Sequence, residues 1–394
     1  MTNKWRSDRL DRLGSAIFAE VAEWKAEALR QGTDVIALDI GSPDRPPSPE
    51  IMEALSKAAL RSELYRYPGT QGSAKFRETA AAWFERRFGV SLDPRGELLS
   101  LMGTQDGLAH LALAVTNPGD CVLLPDPGYP VYQAGLAVAG VEAIRLPLTE
   151  ENGYLPDFDA VPEAAWDKIK FMLLNYPSNP LSATADLAFF ERAVEVARRR
   201  GVLLVHDNAY SEMAFDGFRP PSVLEVPGAK EVAVEFHSLS KSFHLAGGRI
   251  GFAVGNRDAL ESLRALKDNI DFGVFLAVQE AAVAAMERDM AAPEPVAALY
   301  ERRRDRFVEA LREEGWAIPL PKATMFVWAP LPSGWTSRTF SRELLAAAGV
   351  ASVPGHAFGA RGEGYARLAL VEEEERLVCA ARRIGRFLRE HEPR

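Results

Sequence analysis

The chain has 394 residues, 47% of them apolar, enough to bury a sizeable core in one large and one small domain, or in two or three. Its 46 Lys and Arg against 55 Asp and Glu leave a net charge of −9, which argues against a nucleic-acid footprint. Two distant cysteines, Cys121 and Cys379, indicate neither a disulfide framework nor a zinc site, and no run approaches the roughly 20 apolar residues of a membrane helix.

Residues 1–32 carry charges throughout and space Ile17, Phe18, Val21, Trp24 and Leu29 like one helix face, so they read as a helix rather than a signal peptide. From about residue 98 short apolar runs alternate with helical stretches: ELLSLM, a helix through Leu111, CVLLP, a helix from Tyr132, IKFMLLN, a helix through Val194, then VLLVHD, EVAVEF and IGFAVG. This pattern predicts βαβ units and a mostly parallel sheet whose strands are buried on both faces. After Gly255 a long helical stretch runs through about Leu311, with Arg302, Arg303 and Arg304 expected on a solvated face. TMFVWAP and ARLAL read as strands, Glu372 to Arg389 as a closing helix, and His391 to Arg394 as a charged tail. The resulting partition is a large domain, 48–275, and a small α+β domain made from 1–47 and 276–394, joined by a long helix.

Three clusters follow apolar strands, where α/β sheets gather ligands. His237-Ser238-Leu239-Ser240-Lys241, then Ala246-Gly247-Gly248-Arg249-Ile250-Gly251, offers hydroxyls, an arginine and close-approaching backbone to a phosphate, with one lysine amine that can form an imine with an aldehyde. Taken alone, Lys241 reads rather as an ordinary solvated lysine in a Ser/Gly loop, since lysine is usually exposed. The order of Gly and Lys rules out a P-loop. In VLLVHDNAY, Asp207 ends a strand and could pair with a protonated heterocycle nitrogen while Tyr210 donates to a ring hydroxyl; a helix cap or turn is the alternative for Asp207. In Asn175-Tyr176-Pro177-Ser178-Asn179-Pro180, Asn179 can donate to an oxygen, or the segment is a plain turn.

These segments resemble the class I/II aminotransferases of fold type I, and the likeness covers essentially the whole chain. HSLSKSFHLAGGRIGFAVGN is similar to that family's S-x-S-K…G-x-R-x-G motif, NYPSNP to its N-P-T-G loop and HDNAY to its D-x-A-Y segment. FAEVAEWKAEALRQGTDVIALDIGSPD, NPGDCVLLPDPGYPVY and LPLTEENGYLPD resemble the branch of LL-diaminopimelate aminotransferases and their alanine, aspartate and methionine relatives.

The resemblance implies pyridoxal 5′-phosphate (PLP) as cofactor and ping-pong amino transfer between an L-amino acid and a 2-oxo acid. It makes Lys241 the Schiff-base lysine and proton shuttle, Asp207 the pyridine-nitrogen partner, and Tyr210 and Asn179 the donors to the ring oxygen. Ser238, Arg249, Thr104 and Gln105 at a helix N-terminus would hold phosphate; Tyr129 would stack on the ring; Tyr67 would reach the phosphate of a neighbouring subunit in a homodimer with shared sites. Arg367 and Gly41, with Asn179, would hold the substrate α-carboxylate. Leu181-Ser182 replaces the usual Thr-Gly, Gly248 stands where Trp is common, and Gln105 stands where the diaminopimelate enzymes often have lysine. His206, His237 and His244 match no catalytic role and read as structural.

A neutral or modestly polar donor is expected, with 2-oxoglutarate or pyruvate as acceptor and LL-diaminopimelate as the alternative substrate, because no second arginine for a distal carboxylate is evident. A carbon–sulfur β-lyase using the same residues is the rival reaction. A PLP-sensing DNA-binding regulator lacks its basic helix-turn-helix segment before residue 32. The expected protein is a soluble cytoplasmic enzyme with no metal, no membrane and no nucleic acid.

Overall fold

The computed structural model describes residues 4–13, 16–291 and 296–393; residues 292–295 of the expected helical stretch and the last residue of the tail lie outside them. Helix α1 (Ala16–Arg30) leads to a short β1 (Ile36–Ala37), then α2 (Pro49–Ala59) and α3 (Ala74–Phe88). Ser73 starts α3 by accepting the Phe76 N–H, and Gly89 ends it at φ 70°, a conformation open to glycine.

The alternating segment contains β2 (Leu98–Leu101), α4 (Thr104–Val115), β3 (Cys121–Asp126), α5 (Pro130–Ala139), β4 (Glu142–Pro147) and β5 (Ile169–Asn175). It continues through α6 (Leu187–Arg200), β6 (Leu203–Asp207), β7 (Ala233–Ser238), α7 (Leu239–Ser242) and β8 (Gly251–Gly255). The seven strands of this segment form one sheet in the order β2-β8-β7-β6-β5-β3-β4. Only β8 runs against the others.

Side chains alternate across this sheet. Met172, Leu174 and Leu204 enter one apolar layer with Phe76, Trp83 and Phe190, and Phe171, Leu173 and Val205 enter the other with Leu111, Tyr132 and Phe236. Each such fully buried side chain contributes roughly 1.5–3 kcal/mol. Strand β4, which the apolar-run reading misses, is the sheet edge: Glu142, Arg145 and Pro147 are exposed, so no continuous apolar run marks it.

The stretch after Gly255 is not one helix. It divides into α8 (Arg257–Lys267), α9 (Leu276–Ala291) and α10 (Val296–Glu313). The first break is built in: Asp271 Oδ1 accepts the Gly273 N–H at 2.7 Å, and Phe272 and Gly273 take φ of 58° and 95°. Helix α9 packs on α2 and α3. Beyond α10 come β9 (Phe326–Pro330), α11 (Ser337–Ala348), β10 (Val350–Ala351), β11 (Val353–Pro354), β12 (Tyr365–Ala369) and α12 (Glu374–Glu390). Strands β11-β12-β9 form an antiparallel sheet, and β1 pairs with β10. A second core of Phe307, Phe326, Phe340, Leu368 and Phe387 lies here.

Arg303 and Arg304 correct the expectation of a solvated face, since both are fully buried. Arg303 clamps Asp44 with two bonds of 2.7 and 2.8 Å and donates to the Leu370 carbonyl. Arg304 clamps Asp216 and donates to the Pro321 carbonyl. A run of arginines does not reveal which carboxylates the fold brings to them.

Candidate active site

The carboxyl ends of β5, β6 and β7 open into a cavity of about 780 Å³. Parallel register sets Asn175 beside Asp207 and Asp207 beside Phe236, so Asp207 reaches the cavity from the middle of the sheet. Lys241, Asp207, Tyr210, Asn179, Ser238, Arg249, Thr104, Gln105, Tyr129, Gly41 and Arg367 all line this cavity. Tyr67 does not: it lies on the surface, 87% exposed, its ring 5.7 Å from that of Phe272.

Asp207 is buried. Its Oδ2 accepts the Tyr132 hydroxyl at 2.7 Å and its Oδ1 accepts the Ala209 N–H at 3.2 Å. Burial pushes its pKa up, against the downward pull of the Tyr132 bond, the Ala209 N–H and the His206 and His237 rings. Asn175 fixes the strand end, donating from Nδ2 to the Asp207 carbonyl at 2.8 Å and accepting the Asn179 N–H at Oδ1 at 2.8 Å.

Lys241 stands on the short turn of α7, its Nζ 2.6 Å from the Gly41 carbonyl. Burial, with the positive charges of Arg367 and Arg249, lowers its pKa to about 8, while Asp207 pulls the other way. Arg249 takes left-handed backbone, φ 48°, and donates to the Ala246 carbonyl at 3.0 Å. It approaches the N-terminus of α4 so closely that a Cβ on Gly103 would come within 2.6 Å of Arg249 Nη2. Among the described residues no side chain caps that helix end. Asp106 in its first turn holds the buried Lys267 amine jointly with Asp271. Burial alone would raise Asp106, yet His110 and Lys267 bring it down to about 2.

Arg367 is buried between the rings of Phe326 and Phe358, 4.2 and 4.9 Å away. It donates to Asn179 Oδ1 at 3.0 Å and to the Asp39 carbonyl at 3.3 Å, while its Nε has no partner. No carboxylate pairs with it among the described residues. Burial pushes its pKa down to about 10, against the pull of Tyr210, Tyr129 and Asp39.

This donor set fits PLP. Asp207 is a buried carboxylate with no ion-pair partner in the cavity among the described residues, which a protonated ring nitrogen would supply. Arg249 and the uncapped N-terminus of α4 present positive charge to a phosphate. The Lys241 amine lines the same cavity and feels the charges of both Asp207 and Arg249. Sequence reasoning missed Tyr132 and Asn175, which orient Asp207, and Asp39 on the cavity wall, whereas Phe18, also on that wall, belongs to the N-terminal helix that the sequence offers as an alternative source of side-chain recognition. Tyr132 follows Tyr129 at helical spacing, the one available hint; for Asp39 there was none.

A doubly wound, mostly parallel sheet that gathers these groups at its strand ends defines a fold-type I PLP enzyme. The family of aminotransferases class I and II matches residues 33–384, and the chain belongs to that family. It is a PLP-dependent aminotransferase. It is 44% identical over 380 residues to the LL-diaminopimelate aminotransferase of Moorella thermoacetica, covering 96% of this chain and 97% of that protein. Identity to the Syntrophobacter fumaroxidans enzyme of the same name is 46% over 382 residues, 97% and 98% of the two chains. Among solved structures, substrate-bound BacF from Bacillus subtilis superposes with a TM-score of 0.90 at 38% identity, covering 94% of each chain. A Thermus thermophilus protein described as a "probable N-succinyldiaminopimelate aminotransferase" gives 0.88 at 42%, over 94% and 99%.

Proposed function

We propose that the donor is an L-amino acid whose α-carboxylate is gripped by Arg367 and whose α-hydrogen is presented to Lys241. One observation carries this reading: Arg367 is a buried guanidinium with no carboxylate partner among the described residues. A guanidinium kept out of water calls for an anion, and a carboxylate matches its fork. Bound in the cavity, PLP supplies an electrophilic carbonyl and an electron-accepting ring. Lys241 Nζ, once free and neutral, takes the proton from the donor's α-carbon. Asp207 holds the ring nitrogen protonated, Tyr210 and Asn179 donate to the ring oxygen, and Tyr129 covers the ring. Thr104, Gln105, Ser238 and Arg249 anchor the phosphate. Gly41 completes the α-carboxylate site.

The cofactor groups fall within 48–275, whereas Gly41 and Arg367 fall within 1–47 and 276–394, so we assign these as the large and small domains. Tyr67 leads us to a twofold homodimer in which it reaches the partner's phosphate. The compartment in this reading is the cytoplasm, consistent with free thiols at Cys121 and Cys379.

For the side chain, a neutral or modestly polar donor suits a cavity whose two arginines, Arg249 and Arg367, already have assigned anions. The naming of relatives at 44–46% identity favours a second reading, LL-diaminopimelate. Comparing kcat/KM for alanine, methionine, phenylalanine, aspartate and LL-diaminopimelate with one acceptor decides between them. A preference of about a hundredfold for LL-diaminopimelate or aspartate overturns the neutral-donor reading. Pyruvate formed from cystathionine without an acceptor would mark the lyase instead.

A further inference from the structure

On the opposite face of the sheet from Asp207 lies a buried cluster that none of these roles uses. His206 on β6 and Glu235 and His237 on β7 share that face, and all three are essentially inaccessible to solvent. Glu235 Oε2 receives His206 Nδ1, the Ser222 hydroxyl and the Val223 N–H, each at 2.8 Å. Its Oε1 receives His237 Nε2 at 2.6 Å and Asn208 Nδ2 at 3.2 Å. The Ser222 hydroxyl and Val223 N–H on one oxygen and the Asn208 amide on the other donate whatever the histidine tautomers, an environment that suits Glu235 as a carboxylate. Burial alone would raise Glu235, yet the two imidazoles hold it well below the usual carboxylate range.

The other side of His206 decides its proton count. Its Nε2 lies 2.9 Å from the Tyr176 carbonyl, which can only accept. With a carboxylate on Nδ1 and a carbonyl on Nε2, both ring nitrogens must carry protons. His237 is different: its Nε2 lies 2.6 Å from Glu235 Oε1, and its buried Nδ1 has no partner among the described residues, which suits a ring with one proton, on Nε2.

We propose that His206 is a fixed imidazolium, ion-paired with Glu235 behind the sheet, and that this pair is a positioning element which keeps the adjoining Asp207 ionised for the cofactor nitrogen. The inference rests on the assignment of Asp207 made above. Strand geometry supports it: His206 is the residue before Asp207, and the pair bonds β6 to β7 where they end in Asp207 and Ser238. The other neighbours are mostly apolar or neutral: Phe190 of α6 against His206, and Trp83, Phe84, Phe88 and Phe252 around His237. On its own face Asp207 accepts the Tyr132 hydroxyl and shares its cavity with Tyr129, Tyr210, Lys241, Arg249 and Arg367. A positive charge at His206 offsets the cost of burying the Asp207 carboxylate.

The test is ¹⁵N NMR of cofactor-free protein labelled at histidine. In the folded protein both His206 nitrogens should carry protons, and His237 should show one bare nitrogen. A neutral His206 overturns the proposal. Glu235→Gln, which keeps the shape and removes the charge, should strip one proton from His206. In the loaded enzyme it should lower kcat about tenfold with little change in donor KM, and move the acid limb of the kcat profile to higher pH. A folded Glu235→Gln protein with an unmoved acid limb also overturns it. If that variant does not fold, the wild-type spectrum decides alone. Borohydride trapping of PLP on Lys241 is independent: its failure would remove the cofactor assignment and leave the His206 result standing.

Discussion

At the cofactor end of the cavity, Asn179, Asp207, Ser238 and Lys241 lie at or just beyond the ends of three adjacent parallel strands, fixed by backbone register. At the substrate end, Gly41 and Arg367 come from near opposite ends of the chain and are held by side-chain contacts: Arg367 to Asn179 and the Asp39 carbonyl, Lys241 to the Gly41 carbonyl. The first end is a rigid frame whose geometry the sheet sets. The second is a seam, where binding energy can be spent on drawing the two sides together. Changes at the frame should therefore strike turnover, and changes at the seam should strike substrate capture.

The largest effects belong to the frame. Lys241→Ala should cut kcat by at least about 10²–10⁴-fold, the worth of a positioned acid–base group. Borohydride should then attach no cofactor, whereas in the native protein it should label one peptide, the one carrying Lys241. A label on another lysine would remove the site assignment. Asp207→Ala should still bind PLP but lose most of its transamination; near-normal turnover would refute the role of Asp207.

A smaller loss is expected at the seam. Arg367→Ala removes the only guanidinium placed for the α-carboxylate among the described residues, and losing one partner of a buried charge pair costs roughly 2–5 kcal/mol, a drop of about 30-fold or more in kcat/KM. The loss should appear mainly in donor KM, and Arg367→Lys should restore little because an ammonium lacks the planar fork. An unchanged KM in Arg367→Ala would show that the carboxylate is held elsewhere.

The same contrast explains what could be read from sequence. The frame was legible because each of its groups follows a short apolar strand within a compact motif, HSLSK, HDNAY or NYPSNP, and the strands themselves are continuous apolar runs. Edge strand β4 was not, since much of its surface faces water. Arg367 was reached only through family resemblance; nothing in YARLAL states that its arginine is buried without a carboxylate. The supporting bonds were hidden for the same reason. Tyr132 to Asp207, Arg303 to Asp44 and Glu235 to two histidines are contacts that only the fold creates.

The smallest expected effect is also the one in which frame and seam pull in opposite directions. The Lys241 amine has its pKa lowered to about 8 by burial and by the charges of Arg367 and Arg249, with Asp207 opposing. Below that value the amine is protonated and cannot attack an aldehyde; above it the amine is neutral and can. In cofactor-free protein the rate of borohydride-trapped PLP capture should therefore rise with pH and level off above about 8. Arg367→Ala removes a repelling cation from the seam, so its midpoint should move to higher pH. Asp207→Asn removes an attracting anion from the frame, so its midpoint should move to lower pH. Shifts of the same sign in both variants would mean that burial alone sets the amine, and that the two ends of the cavity do not meet electrostatically at Lys241.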